Sequence, residues 1–332
     1  MTGDAGSTGD AGSTGAAGNT GAAASTGAAG STGGLGSTGD LGPGGAPVTS
    51  GVPADLAPLR RPVLIAAFEG WNDAGDAATG AVEHLEQAWD ATRLLSIDPD
   101  DYYDFQVTRP TVSLVDGVTR HITWPTTRLS VARLTGERDV VLVRGLEPNM
   151  RWRGFCEELL ALAVELGTET VVTLGALLAD SPHTRPVPVS GTASDPQTAA
   201  ALGLERSRYE GPTGITGVFQ DHCSRAGLAA ISFWAAVPHY VAAPPCPKAT
   251  LALLRKVEDL LDLAVPLGEL PEQARAWERS VDELAAGDDA VKSYVTSLEE
   301  REPAADLPEA SGEAIAKDFE RYLQRGGDET PS

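Results

Sequence analysis

Seven side chains with the chemistry of a ligand site follow apolar runs of this sequence or lie in the loops after them. Histidine and carboxylates serve in acid–base chemistry. The seven are Glu69, Trp71, Arg144, Glu147, His183, Arg185 and Tyr240. Because the loops after parallel strands gather along one edge of an open sheet, where ligands usually bind, we expect at least four to line one concave surface.

The first of these loops is the turn FEGWNDAGDAATG at residues 68–80. Its carboxylates, Asp73 and Asp76, could act in catalysis, but they also suit the positive end of the helix that follows. Asn72 or Asp73 could cap that helix with a side-chain oxygen. The capping interpretation explains the polar residues without a substrate, and we expect the turn to be structural unless neighbouring loops converge on it.

Two further loops carry the other charged candidates. In LVRGLEPNMRWRGF, Arg144 and Glu147 either bind a ligand or pair with each other, and the ion pair is the simpler interpretation. The Pro-rich connection GALLADSPHTRPVPVSGTA holds Asp180, His183 and Arg185. Long loops often carry function, but one histidine near one aspartate is weak evidence for acid–base catalysis.

A glycine cluster in YEGPTGITGVFQDHC opens a predicted helix. It is free of acids between Gly211 and Gly217, so Gly211, Thr213 and Gly214 form the best candidate anion site of the chain. The cluster lacks the spacing of phosphate or dinucleotide motifs. A tight turn that needs the conformational freedom of glycine is therefore the favoured interpretation.

Recognised catalytic and metal-binding motifs do not occur in the sequence. There is no GxSxG nucleophile motif, and the histidines lack metal-ligand spacing. The three cysteines, Cys156, Cys223 and Cys246, are widely separated and indicate neither a disulfide framework nor a zinc site. We therefore assign no catalytic residues, no metal and no cofactor.

The elements that must position these residues alternate between strands and helices. Buried strands are predicted at PVLIAAF, DVVLVRG, TVVTLGALL and AAISFWAAV, with another strand at RLLSID and a hairpin at TVSLVDGVTRHITWP that turns at Asp116-Gly117. Helices are predicted after the first strand, over about residues 151–166, and through ATLALLRKVEDLLDLA. This order predicts a largely parallel sheet between helical layers.

Composition and charge limit the classes of partner. The 332 residues carry a net charge of −22, which argues against binding to nucleic acid or to acidic membranes. The sequence shows no signal peptide and no apolar run long enough to cross a bilayer. Together with the cysteine pattern, this predicts a cytoplasmic protein.

Three regions follow from the composition. Residues 1–58 hold a hexapeptide repeat of Gly, Ser, Thr and Ala, which buries too little apolar surface to fold, and we predict a disordered arm. Residues 59–266 form the α/β domain. Residues 267–332, with 17 Asp and Glu against 7 Lys and Arg, form an acidic helical appendix and a flexible tail.

Five blocks in order make the chain recognisable. FEGWNDAGDAA, RGLEPNMRWRGF, GALLADSPHTRPVPVSGTA, YEGPTGITGVF and WAAVPHYVAAPPCPKATLALL resemble the actinobacterial branch of the proteasome assembly chaperone 2 family. The resemblance covers about residues 60–265. It implies a three-layer α/β/α sandwich with a mostly parallel sheet, similar to purine nucleoside phosphorylases. It also implies self-association and, in eukaryotic relatives, a role in building the proteasome α-ring.

The chain departs from the eukaryotic relatives at its end. Those chaperones insert a C-terminal hydrophobic–Tyr–any-residue tail between α subunits. This sequence ends Glu329-Thr330-Pro331-Ser332, and Tyr322 lies well inside the terminus. If proteasome α subunits are partners, we expect docking by another surface.

Two classes of function are left open. The first is a non-catalytic protein-binding or assembly-chaperone protein that also binds itself. The alternative is a small-ligand-binding protein or a phosphorylase-like or hydrolase-like enzyme that uses the carboxyl edge of the sheet. Fold analogy does not decide between them, but the absent nucleophile and metal motifs favour the first.

Overall fold

A computed structural model describes residues 51–115, 117, 119–204, 209–241 and 243–301. The predicted arm, up to residue 50, and the tail after residue 301 lie outside this part of the chain. Within it there are nine strands: β1 (Val63–Glu69), β2 (Thr92–Ser96), β3 (Thr111–Val115), β4 (Thr119–Thr123), β5 (Arg128–Arg133), β6 (Asp139–Leu146), β7 (Thr170–Ala179), β8 (Val189–Ala193) and β9 (Ala229–Pro238). The α-helices are α1 (Ala77–Ala88), α2 (Trp152–Glu165), α3 (Pro196–Leu202), α4 (Ile215–Arg225), α5 (Pro247–Leu261), α6 (Leu270–Gly287) and α7 (Asp289–Glu299).

Seven strands form one mixed sheet in the order β2-β5-β6-β1-β7-β9-β8. The central pairs β6–β1, β1–β7 and β7–β9 are parallel, whereas β5 is antiparallel to both of its neighbours and β8 is antiparallel to β9. The loops after β1, β6, β7 and β9 therefore emerge at the same edge of the sheet, called here the carboxyl edge.

Alternating side chains of the central strands build two cores. Val63, Ile65 and Ala67 of β1 pack with α1 and α5 on one face of the sheet. Leu64, Ala66 and Phe68 pack with α2 and α4 on the other face. The predicted three-layer α/β/α arrangement with a mostly parallel sheet is confirmed. None of the helices in the described residues is long and apolar enough to cross a bilayer.

The sequence prediction misses two strands of the main sheet, β5 and β8. β8 lies in the Pro-rich connection that is predicted as a loop, and it is an edge strand hydrogen-bonded only to β9. Proline and glycine are tolerated at such an edge, so the composition resembles that of a loop. β5 is six residues long with arginine at both ends, Arg128 and Arg133, which conceals its buried interior.

The amino edge of the sheet holds a buried carboxylate. Asp139, the first residue of β6, is fully buried and accepts hydrogen bonds from the backbone nitrogen of Arg60 at 2.8 Å and from its guanidinium at 2.5 Å. The Nη1 atom of Arg133 lies 3.4 Å from Oδ2 of Asp139. Burial by itself would raise the pKa of Asp139, but these bonds and the charges of Arg60 and Arg133 hold it below its usual value.

The predicted hairpin forms as a separate two-stranded sheet of β3 and β4. It is inserted between β2 and β5, and its strands pair from Thr111 with Thr123 to Val115 with Thr119. Of the predicted turn, Gly117 is described and has a φ of 71°, whereas Asp116 lies outside the described residues.

Helix α6, which belongs to the predicted acidic appendix, packs on the α/β domain. Its residues Leu270 and Ala274 join the core that α1 and α5 form, and Val281 and Ala285 are also buried. The sequence of α6 does not reveal this packing, because it has few β-branched residues and many charged ones. A narrow apolar stripe of leucine, alanine and valine is enough to pack an amphipathic helix on a core.

Candidate functional site

The turn after β1 is held against the start of α5. Gly75 has a φ of 62°, and a Cβ added there would lie 2.7 Å from the Cβ of Cys246. The backbone nitrogen of Cys246 donates to the carbonyl of Gly75 at 2.7 Å. Glycine is therefore needed at this position both for its conformation and for the close approach.

The carboxylate of Asp73, and not the side chain of Asn72, binds the first turn of α1, whose N-cap residue is Asp76. The Asp73 carboxylate accepts from the backbone nitrogens of Ala78 at 2.6 Å and Thr79 at 3.2 Å, and from the hydroxyl of Thr79. Burial raises the pKa of Asp73 to about 6, although these hydrogen bonds favour the charged form. The side chain thus has the structural role predicted for the turn.

Asp73→Asn should change the pH dependence of stability. Because the folded state holds the Asp73 proton more tightly than the unfolded chain, wild-type stability should fall as pH rises from about 4 to about 6. The fall from this group is roughly 2 to 3 kcal/mol at 1.36 kcal/mol per pKa unit. Urea unfolding of both proteins across pH 4–7 measures it. As pH rises from about 4 to about 6, the stability of the variant relative to that of wild type should therefore increase by that amount.

A matched control for this measurement is Asp259→Asn, since Asp259 lies on the exposed side of α5. Between pH 4 and pH 7 the stability difference between Asp73→Asn and wild type should vary far more than the difference between Asp259→Asn and wild type. A difference for Asp73→Asn that is equally constant would contradict the assignment of a perturbed, buried carboxyl to this position.

Asn72, Glu147 and the start of α4 form one hydrogen-bonded group. The Asn72 side-chain amide donates to Oε1 of Glu147 at 2.9 Å, and the backbone nitrogen of Ile215 donates to the same oxygen at 2.8 Å. Burial raises the pKa of Glu147, and both hydrogen bonds oppose this rise. Glu147 thus supplies a carboxylate to the positive end of α4.

The predicted anion residues Gly211, Thr213 and Gly214 lie in the loop that enters α4. Gly214 is the N-cap residue, and a Cβ added there would lie 2.3 Å from the side-chain amide of Asn72. An external anion at the first turn of α4 would meet Glu147, which already accepts from Ile215. The close approach to Asn72 accounts for glycine at position 214 without a ligand.

Arg144 and Glu147 do not form the ion pair that the sequence suggests. Arg144 instead lies 3.1 Å from Glu86 and 3.7 Å from Glu83, both on α1. The reason is the alternation of side chains along β6, which turns Arg144 toward the α1 face while Glu147 contacts α4 on the other. Arg144 therefore ties α1 to the sheet.

Glu69 and Trp71 flank the same turn. The Glu69 carboxyl is half-buried, and burial raises its pKa, an effect that the charge of Arg144 reduces. Trp71 is 42% exposed. Among the described residues, no arginine, lysine or histidine nitrogen lies within 4.0 Å of the Glu69 carboxylate, so this acid and the tryptophan are the least engaged of the seven candidates.

His183 and Tyr240 form a second group, after β7 and β9. His183 is buried, and its Nδ1 lies 2.7 Å from the Tyr240 hydroxyl, while its Nε2 lies 3.0 Å from Asp282 of α6. The Tyr240 ring also lies against Tyr294 of α7, with centroids 6.0 Å apart. Both ring nitrogens of the histidine therefore have partners inside the protein.

Arg185 and Asp180 extend this group to the end of α7. Arg185 donates to the carbonyl of Arg301 at 2.9 Å and to that of Glu299. The Tyr294 hydroxyl donates to Asp180 at 2.9 Å. Helices α6 and α7 thus cover the loops after β7 and β9, and we call this set of contacts the C-terminal latch: Asp180, His183, Arg185, Tyr240, Asp282, Tyr294 and Glu299.

The seven candidates thus lie in two regions along the carboxyl edge, one around the ends of β1 and β6 and one in the C-terminal latch. Whether four of them share one concave surface stays a prediction. A concavity of about 270 Å³ lies at the other end of β9, lined by Ser194, Asp195, Thr198, Ser224, Gly227, Leu228 and Ala229. Within the described residues, no three His, Cys, Asp or Glu side chains are grouped to hold a metal ion.

Comparison with known proteins identifies the family. A model of the PAC2 family matches residues 67–285. The chain belongs to the PAC2 family. The matched range extends to residue 285 in α6, beyond the predicted limit near residue 265, and α6 packs into the core of the domain.

Solved structures of PAC2 proteins agree with this assignment. A PAC2 family protein from Streptomyces avermitilis is 63% identical, covers 70% of this chain and 99% of that chain, and gives a TM-score of 0.67. The Mycobacterium tuberculosis proteasome-assembly chaperone homologue Rv2125 is 60% identical with the same coverage and a TM-score of 0.65. No curated protein matches the chain.

A distant relative shares the fold alone. Pyrococcus furiosus PbaB, an archaeal proteasome activator, is 17% identical over 69% of this chain and 96% of that chain, with a TM-score of 0.57. The PAC2 architecture is thus retained where few residues are shared.

The latch residues Asp282, Tyr294 and Glu299 are neighbours of the candidate residues that the sequence does not reveal. Asp282 lies 99 positions from His183, in a helix whose many carboxylates all look solvated. The signal in α7 is Tyr294, the one aromatic residue of that helix.

Proposed function

We propose that this PAC2 protein is a non-catalytic, cytoplasmic assembly chaperone that binds proteasome α subunits and also associates with itself. The observation that carries the proposal is the 60% identity to a proteasome-assembly chaperone homologue over 70% of this chain.

The chemistry of the candidate site supports a binding role. Asp73 caps α1, Glu147 caps α4, and both ring nitrogens of His183 are bound to Tyr240 and Asp282. A general acid or base needs a free position within hydrogen-bonding distance of its substrate. These side chains are occupied by structural partners, which favours protein binding over catalysis.

A ligand-binding role is proposed as the second candidate on one observation. Glu69 is a half-buried carboxyl with a raised pKa beside the exposed ring of Trp71, at the carboxyl edge where ligands bind in open sheets. A pair of this kind would take a cationic or hydrogen-bond-donating group, either from a small molecule or from a client side chain.

Capture of free α subunits tests the chaperone proposal. Full-length protein should retain purified, unassembled proteasome α subunits on a column and should retain assembled core particles far less, because an assembly factor binds surfaces that the finished particle covers. Deletion of residues 330–332 should leave the retained amount unchanged, since Thr330, Pro331 and Ser332 offer no hydrophobic–Tyr pair for docking.

Two results would count against this proposal. Equal retention of free and assembled subunits would contradict the assembly role. Failure to retain either form would contradict the proteasome as a partner. Trp71→Ala in the same assay separates the two candidates, because loss of α-subunit binding by this exposed residue would assign the Glu69–Trp71 surface to the client.

A further inference from the structure

Two arginines at the edge of the main sheet lack the partners that half-buried charges normally have. Arg93 of β2 and Arg128 of β5 are both half-buried, and the Nε atom of each is buried without a hydrogen-bond partner. Arg93 donates through another nitrogen to the Ser96 hydroxyl at 2.6 Å, whereas the Arg128 side chain forms no hydrogen bond within the described residues. No carboxylate oxygen of those residues lies within 4.0 Å of either guanidinium. Polar groups taken out of water usually have such partners.

The other arginines show that this pair is exceptional. In the described part of the chain, the other arginines without a carboxylate partner are exposed, apart from Arg185, which donates to two backbone carbonyls. The exposed ones are Arg109, Arg120, Arg153, Arg255 and Arg279. Water can satisfy those side chains, but it does not reach the buried Nε atoms of Arg93 and Arg128. Buried donors without an acceptor are rare in native proteins, so the pair indicates a ligand that supplies one.

Strand pairing places the two arginines on the same face of the sheet. Arg93 pairs with Ser130 across β2 and β5, and Ser96 pairs with Arg128, so the two arginines are diagonal neighbours. Such neighbours are about 7 to 8 Å apart, within reach of long side chains. Burial lowers the pKa of Arg93, and the charge of Arg128 lowers it further. The two guanidinium groups are therefore close enough to repel each other.

The acids around the pair do not neutralise it by contact. Glu86 of α1 accepts from the Ser130 hydroxyl at 2.9 Å and from Arg144 at 3.1 Å, so both oxygens of this carboxylate are already used. Glu83 lies 3.7 Å from the same arginine. Glu69, at the end of β1, lies farther than 4.0 Å from any arginine nitrogen of the described residues. The pair thus keeps two positive charges that no carboxylate touches.

We propose that Arg93, Ser96 and Arg128 bind the phosphate group of a small molecule, either inorganic phosphate or a phosphate monoester. Guanidinium groups suit phosphate oxygens, because their planar N–H donors can bind two oxygens at once. A phosphate dianion matches both positive charges, whereas a carboxylate would match only one. Ser96 is buried and its hydroxyl accepts from Arg93, which leaves its own hydrogen for a phosphate oxygen. Because both arginines are only half-buried, a ligand can reach them from solvent.

Calorimetric titration of the full chain with inorganic phosphate and with phenyl phosphate tests the site. The titration covers about 0.05 to 20 mM, around an expected Kd on the order of 1 mM. Ionic strength is held constant with sodium chloride, so that general screening of charge does not contribute. Arg93→Gln and Arg128→Gln should each weaken binding at least tenfold, whereas Arg153→Gln, at an exposed arginine without a carboxylate partner, should leave the Kd unchanged. Tighter binding of phenyl phosphate would assign the site to a monoester, and tighter binding of phosphate would assign it to the free ion.

Thermal unfolding separates ligand binding from a structural role of the arginines. Without phosphate, Arg128→Gln should melt no lower than wild type, because it removes a half-buried charge that has no partner. With phosphate at roughly 20 times the expected Kd, wild type should gain a few degrees in Tm and the variant should gain none. Equal gains by wild type and variant, or no phosphate binding by wild type at that concentration, would overturn the site. The site goes beyond the proposed function, so the result of α-subunit capture is judged separately.

Discussion

Asp139→Ala should lower the free energy of unfolding by about 3 kcal/mol, the usual scale for losing several hydrogen bonds to a buried charged group. The Asp139 carboxylate is fully buried at the start of β6 and joins Arg60 and Arg133, which fixes the entry to β1 against the central strand β6. Both arginines are partly exposed and can return to water, but the backbone nitrogen of Arg60 loses its acceptor. Denaturant unfolding measures the change.

The control for this substitution is Asp221→Ala. Asp221 also pairs with an arginine, Arg225, but both side chains are exposed on α4, so the cost should stay below about 0.5 kcal/mol. Because the Asp139 pKa is lowered in the folded state, its contribution is present at neutral pH and is lost as pH falls below about 4. A wild-type advantage over Asp139→Ala that does not shrink as pH falls below about 4 would contradict this account.

Gly214→Ala should cost about 2 to 4 kcal/mol, which combines overpacking with the loss of a buried hydrogen bond. The backbone at Gly214 has a φ of −94°, which alanine adopts freely, so the expected cost is steric. The added methyl group would lie 2.3 Å from the amide of the buried Asn72 and would drive it away from Glu147. Thermal and urea unfolding measure the loss.

Two further variants isolate the cause. Gly154→Ala lies inside α2 with no atom closer than 3.9 Å to the new Cβ, and it should be neutral or stabilising by up to about 1 kcal/mol. Asn72→Ala removes the obstructing amide, so the double variant with Gly214→Ala should be destabilised by less than the sum of the single variants. Additive losses would show that the two side chains do not compete for the same space.

The sequence predicts the parts of the fold that have local causes. Strand β1 and helix α1 are marked by continuous apolar residues and by helical spacing, and both form as predicted. β8 is missed because its position depends on β9, more than thirty residues later, rather than on its own Pro- and Gly-containing segment. Pairing across the chain can override local preference.

The candidate site also combines features that local sequence predicts with features that depend on distant segments. The turn at Asp73 follows from its sequence, since an acidic residue before a helix is a capping signal. The partners of Glu147 and His183 cannot be predicted from the sequence, because Asn72, Ile215 and Asp282 come from distant segments. In addition, a shift of one residue along a strand moves a side chain to the opposite face of the sheet. Residue type therefore identifies the loops but not their contacts.

The position of β1 in the sheet has a consequence for folding. Val63 pairs with Val140 on one side and with Thr170 on the other, so the first strand of the domain lacks both neighbours until much of the chain has been made. The C-terminal latch adds contacts such as His183 with Asp282, 99 positions apart. A protein with so many non-local contacts should fold slowly, and its apolar central strand would stay open to aggregation during synthesis. A PAC2 protein of this architecture would then depend on protection by general chaperones while it is being made.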